Sequence, residues 1–138
     1  MKSLIIYSSR SGNTKKLAEY AYNALKGEKK LVAITELPLK KYDYDLIAVG
    51  FPIMAARVEP RAARFLADFN EKTRFVLFMT HGSKKESQLV EDVMAQASTL
   101  VKNAEIVGRY SCQGEVDPKV LYKLGKSSRP FPWLKEAE

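Results

Sequence analysis

The sequence predicts an α/β domain in which a parallel sheet is covered by helices on both faces. Two observations carry this. Four of the five strand-like segments are unbroken apolar runs, Leu4-Ile5-Ile6-Tyr7, Leu31-Val32-Ala33-Ile34, Leu46-Ile47-Ala48-Val49 and Phe75-Val76-Leu77-Phe78-Met79. Such runs suit strands buried on both faces. Amphipathic helical segments stand between most of them, the alternation of a doubly wound fold. A third observation concerns the ligand. The first strand runs into Ser8-Ser9-Arg10-Ser11-Gly12-Asn13-Thr14 and then into a helix. A helix N-terminus offers N–H groups and partial positive charge, so this is a ready phosphate site.

In chain order, the first strand covers about residues 2–7 and the first helix about 14–26. Leu17, Tyr20, Ala21, Ala24 and Leu25 form its apolar face, and Gly27 is placed to stop it. A second strand covers 31–34. The third, 46–49, is expected to end at Gly50 and Pro52, with a loop to Val58. A helix begins near Glu59, with Pro60 in its first turn and Ala62, Phe65, Leu66 and Phe69 as its stripe. The fourth strand covers 75–79, with Thr80-His81-Gly82-Ser83 as exit loop. The clearest helical period, Leu89 to Val101, sets a helix over about 85–102. Glu105-Ile106-Val107 opens a fifth strand that continues through Tyr110-Ser111-Cys112. Asp117, Pro118 and Gly125 signal a short last helix, and 126–138 reads as an irregular tail. The whole, 1–138, reads as one domain.

The net charge is +7, spread in small clusters along the chain. It fits solvated basic faces or attraction to an acidic partner. Aromatic and basic residues do not interleave as in single-strand RNA binders, so no nucleic acid is expected. No apolar run is long enough to span a membrane. The start shows no secretory pattern, and the single cysteine, Cys112, excludes an internal disulfide. Together these point to the cytoplasm.

In an open parallel sheet, ligands bind beyond the carboxyl ends of the strands. Three loops meet there: 8–14, 50–58 and 80–85. The Walker pattern and the three-glycine dinucleotide fingerprint are absent. A receiver domain would need acidic residues where Ser8-Ser9 stand and an aspartate where Gly50-Phe51 stand. A cysteine-dependent phosphatase would need a cysteine in the first loop.

Ser9-Arg10-Ser11-Gly12-Asn13-Thr14 resembles the phosphate loop of flavodoxins, Thr/Ser-x-Thr/Ser-Gly-Asn-Thr, and follows the first strand as it does in that family. Gly50-Phe51-Pro52 looks like the start of the family's second flavin loop. The order of elements matches to about residue 116. The resemblance implies a flavodoxin-like, doubly wound, five-stranded parallel sheet of order 2-1-3-4-5, with FMN held non-covalently. It implies side-chain donors to the phosphate from Ser9, Ser11, Asn13 and Thr14, and backbone N–H donors from Arg10 and Gly12. The Arg10 guanidinium lies over the phosphate or points to solvent. The ring would meet Pro52, Ile53, Met54 and Ala55 from one loop and Thr80, His81 and Gly82 from another. No catalytic residue and no metal site are expected.

The sequence departs from the family at the ring end. Members with tight flavin binding commonly sandwich the ring between aromatic residues; neither ring loop here holds a Trp or Tyr. Met54 can lie against the ring through its polarisable thioether. His81 can stack on the ring, bond to it, or be a polar loop residue. Cys112 reads as a small buried residue. Phe131 and Trp133 in the tail are expected to pack back on the body. Arg57, Lys84 and Lys85 on the flavin-side loops should stabilise the anionic reduced flavin and make its potential less negative than in acidic flavodoxins. The resulting expectation is an electron carrier between a reductase and an acceptor enzyme, meeting acidic redox partner proteins. The alternative is a small FMN-dependent reductase acting directly on a planar substrate such as a quinone or tetrapyrrole.

Overall fold

The computed structural model describes residues 2–8, 12–37, 39, 42–54, 57–81 and 87–113. Five strands, β1 (Lys2–Tyr7), β2 (Glu28–Ala33), β3 (Leu46–Met54), β5 (Arg74–His81) and β6 (Glu105–Gln113), form a parallel sheet in the order β2-β1-β3-β5-β6. A two-residue strand, β4 (Arg57–Val58), pairs antiparallel with β3 alone. Without β4 in the count, the order is the expected 2-1-3-4-5. The helices are α1 (Asn13–Ala24), α2 (Pro60–Asp68) and α3 (Ser87–Leu100), with a 3₁₀ turn at Ile34–Glu36.

The unbroken apolar runs are explained by two cores, one on each face of the sheet. Leu4, Ile6, Ile47, Val49, Phe51, Phe75, Leu77 and Met79 join Ala62 and Leu66 of α2 and Val93 and Ala97 of α3. The alternate residues Ile5, Leu46, Ala48, Val76 and Phe78 join Leu17, Ala18, Ala21 and Leu25 beside α1. Successive strand side chains point to opposite faces, so a strand buried on both must be apolar throughout. Beneath α2, Phe69 packs on Phe75 with ring centroids 4.8 Å apart, and Tyr42 meets Phe69 edge-on at 5.5 Å.

Several boundaries differ from the sequence reading. β2 begins at Glu28 rather than Leu31, because it is an edge strand paired only with β1 and carries Lys29 and Lys30 on its partly exposed length. Gly27, with φ +86°, forms the turn into β2 instead of closing α1, which ends at Ala24. β3 does not end at Gly50 and Pro52. Gly50 is needed for packing: a Cβ there would lie 2.0 Å from the Phe78 ring. Past Gly50, β3 pairs with β5 but not with β1, and Pro52 sits opposite Thr80 on that free-sided stretch. A residue without an N–H is tolerated at such an edge. The expected loop to Val58 is therefore partly a hairpin, with Ile53 opposite Val58 and Met54 opposite Arg57. β5 runs on through Thr80 and His81, two residues read as exit loop. β6 is continuous across residues 108–109, with a bulge that leaves Val107 between the partners of Phe75 and Val76. The expected last helix and the tail with Phe131 and Trp133 lie outside the described residues.

Candidate functional site

The parallel order brings the carboxyl ends of β1, β3 and β5 side by side, and two of the three expected loops are joined there by side chains. Thr14, in the first turn of α1, and Thr80, near the end of β5, are both buried, with their Oγ1 atoms 2.8 Å apart. Two expected cofactor-site residues 66 positions apart thus share one hydrogen bond.

Gly12 is the N-cap of α1 and has φ +92°, a left-handed conformation that suits glycine. A Cβ built there would meet nothing within 4 Å, so the space beside the backbone is open to a ligand. The first turn of α1 carries no acidic side chain, so nothing there offsets the positive end of the helix dipole. Asn13 begins the helix at this end. Ser8, the last described residue before the loop, donates its N–H to the Gly50 carbonyl at 2.9 Å, tying the end of β1 to β3. The surroundings fit a phosphate: open backbone, a dipole of favourable sign and small hydroxyl residues.

Of the residues expected to meet the ring, Pro52, Ile53 and Met54 are half-buried along the end of β3. His81 ends β5. Ser9, Arg10, Ser11, Ala55 and Gly82 lie outside the described residues, as do Lys84 and Lys85, and the side chains of Asn13, His81 and Cys112 are likewise not described.

The sequence reading missed a buried polar network at Ser8, where β1 enters the first loop. Glu59 is the N-cap of α2 and is 1% exposed. Its Oε2 accepts from the Ser8 hydroxyl at 2.7 Å and from the Ala62 N–H at 2.9 Å, and its Oε1 accepts from Arg61 Nε at 3.0 Å. Arg61 Nη2 also donates to Ser8 Oγ at 3.4 Å. Burial pushes the Glu59 carboxyl up, but the bonds from Ser8, Ala62 and Arg61 outweigh it and hold the group below its ordinary value. A signal for it was present. Glutamate is not among the favoured N-caps, so a Glu-Pro helix start invites the question of what else the carboxylate binds.

A family model described as a flavodoxin domain matches residues 4–132. The chain belongs to the flavodoxin family. As a flavodoxin it has FMN as its cofactor and a redox function. Among curated proteins, the flavodoxin-like domain-containing protein BilS of Clostridioides difficile (strain CD3) is 28% identical over 120 residues, which cover 84% of this chain and 68% of that protein. Among solved structures, a short-chain flavodoxin associated with a non-canonical PDU bacterial microcompartment superposes with a TM-score of 0.75, at 12% identity and 100% coverage of both chains. A flavoprotein in complex with FMN from Lactobacillus acidophilus NCFM gives a TM-score of 0.66 at 18% identity, covering 82% of this chain and 93% of that one. At these identities the two superpositions speak for the fold. No helix among the described residues is long and apolar enough to cross a membrane.

Proposed function

We propose that this flavodoxin-family chain is an electron carrier, passing electrons through its FMN between a reductase and an acceptor enzyme in the cytoplasm. FMN supplies the redox chemistry. The protein holds the phosphate with the loop from Ser9 to Thr14 and flanks the ring with Pro52, Ile53, Met54 and Ala55 and with Thr80, His81 and Gly82. The observation that carries the reading is positive charge in the segment that follows the end of β3: Arg57 on β4 and Arg64 on α2 are exposed. A carrier must dock and leave quickly, and a charged rim around the cofactor steers that encounter without great affinity. With a net charge of +7, the partners that fit are acidic.

One observation favours the alternative, a reductase acting directly on a planar substrate such as a quinone or tetrapyrrole. The described ring-side residues of β3 are proline, isoleucine and methionine, which leave more room over a ring than an aromatic lid would. A single assay separates the two. The FMN-loaded protein is mixed with NAD(P)H and a small quinone, with and without a flavoprotein reductase. The carrier reading expects reduction only with the reductase, at a rate that falls as salt rises. Steady turnover without it would replace the carrier by the enzyme.

A further inference from the structure

Glu59 is a charged side chain withdrawn from solvent, and neither the flavin loops nor the fold's apolar core accounts for it. As a helix cap it would need only the bond from the Ala62 N–H. It makes two more, both to residues at the mouth of the phosphate loop or bonded to it. We propose that Glu59 and Arg61 are positioning residues for the FMN phosphate, fixing Ser8 at the point where β1 enters the loop. The inference deepens the FMN reading and rests on it.

The geometry gives the loop two anchors. Upstream, Ser8 is held three ways: its N–H by Gly50, its hydroxyl by Glu59, and its oxygen by Arg61. Downstream, Thr14 is held by Thr80. Only residues 9–13 lie between. A site whose flanking residues are already held in place binds at a lower ordering cost, and that saving appears as affinity. The charge arrangement agrees. A buried carboxylate near a phosphate dianion would weaken binding, but Arg61 Nε sits 3.0 Å from Glu59 and offsets its charge. The same guanidinium has further N–H donors beyond the two used on Glu59 and Ser8.

Two flavins differing only in the phosphate make the test. Apo-protein is titrated with FMN and with riboflavin, following flavin fluorescence, for the wild type, Ser8→Ala, Arg61→Gln and Glu59→Ala. The wild type should prefer FMN strongly. If it does not, the phosphate assignment itself fails, and this inference with it. Given that preference, Ser8→Ala should weaken FMN about three- to tenfold, and Glu59→Ala roughly tenfold or more. Riboflavin affinity should stay within about twofold in each, and Arg61→Gln should behave like Ser8→Ala. Equal weakening of both flavins would make Glu59 a cap of α2 only. Unchanged FMN affinity in Ser8→Ala, which keeps the cap, would overturn the proposal even if Glu59→Ala does not fold.

Discussion

Thr14 and Thr80, 66 residues apart, place their hydroxyl oxygens 2.8 Å from each other in a buried contact between the start of α1 and the end of β5. The bond joins the two elements proposed to hold the phosphate and to flank the ring. Replacing one partner strands the other. Thr80→Val should therefore cost about 1–3 kcal/mol in denaturant unfolding. Replacing both, Thr14→Val with Thr80→Val, should recover much of that stability, because no orphaned hydroxyl remains. The double variant should nonetheless bind FMN more weakly than Thr80→Val alone, since Thr14 lies in the loop proposed to hold the phosphate.

Gly50 and Phe78 face each other across β3 and β5, and the ring lies where a Cβ on Gly50 would be, 2.0 Å away. Phe78 is fully buried and has no room to withdraw. Gly50→Ala should destabilise by about 2 kcal/mol or more through overpacking. Adding Phe78→Leu should restore part of the loss, measured by thermal unfolding of the pair and both singles. A strictly additive pair would mean that the two do not share this space.

Glu59 contributes to the acid behaviour. Its folded value is lower than its ordinary 4.5, so below that pH the unfolded chain takes up the proton first. The stabilisation is fully present above about 4.5 and is lost as pH falls through the lower folded value. Stability of the wild type should thus rise with pH across this acid range. Glu59→Gln should be less stable near neutrality and show a flatter slope below pH 4.5. Urea unfolding at several pH values reads both.

Much of this was legible in the sequence because burial on both faces writes itself plainly. Unbroken apolar runs gave the parallel sheet, and the pattern at residues 9–14 pointed to the family whose domain matches 4–132. What stayed hidden depends on contacts between distant residues. Pro52 reads as a strand end, yet β1 has already stopped at Tyr7, so no neighbour needs its missing N–H. Lys29 and Lys30 read as a basic cluster outside the second strand, yet an edge strand accommodates them. Glu59 reads only as the start of a helix; its Glu-Pro context hints at a further partner for the carboxylate but does not identify Ser8, 51 residues earlier.

Arg57 tests the electrostatic part of the account. It is exposed on β4, opposite Met54 at the end of β3, where the ring is proposed to lie. Positive charge near the ring favours the anionic reduced flavin. Arg57→Glu should make the lower flavin potential more negative, by an amount on the order of tens of millivolts at low salt. The shift should shrink as salt is added. An anaerobic redox titration measures it, and a shift of opposite sign would remove Arg57 from the ring side.

The central claim is that the loop from Ser9 to Thr14 holds the phosphate of FMN. The most direct measurement is FMN affinity for the double variant Ser11→Ala, Thr14→Ala, followed by flavin fluorescence against the wild type. Each hydroxyl should contribute about 0.5–1.5 kcal/mol or more, so binding should weaken roughly ten- to a hundredfold while the fold persists. Unchanged affinity in a folded double variant would contradict the assignment of this loop.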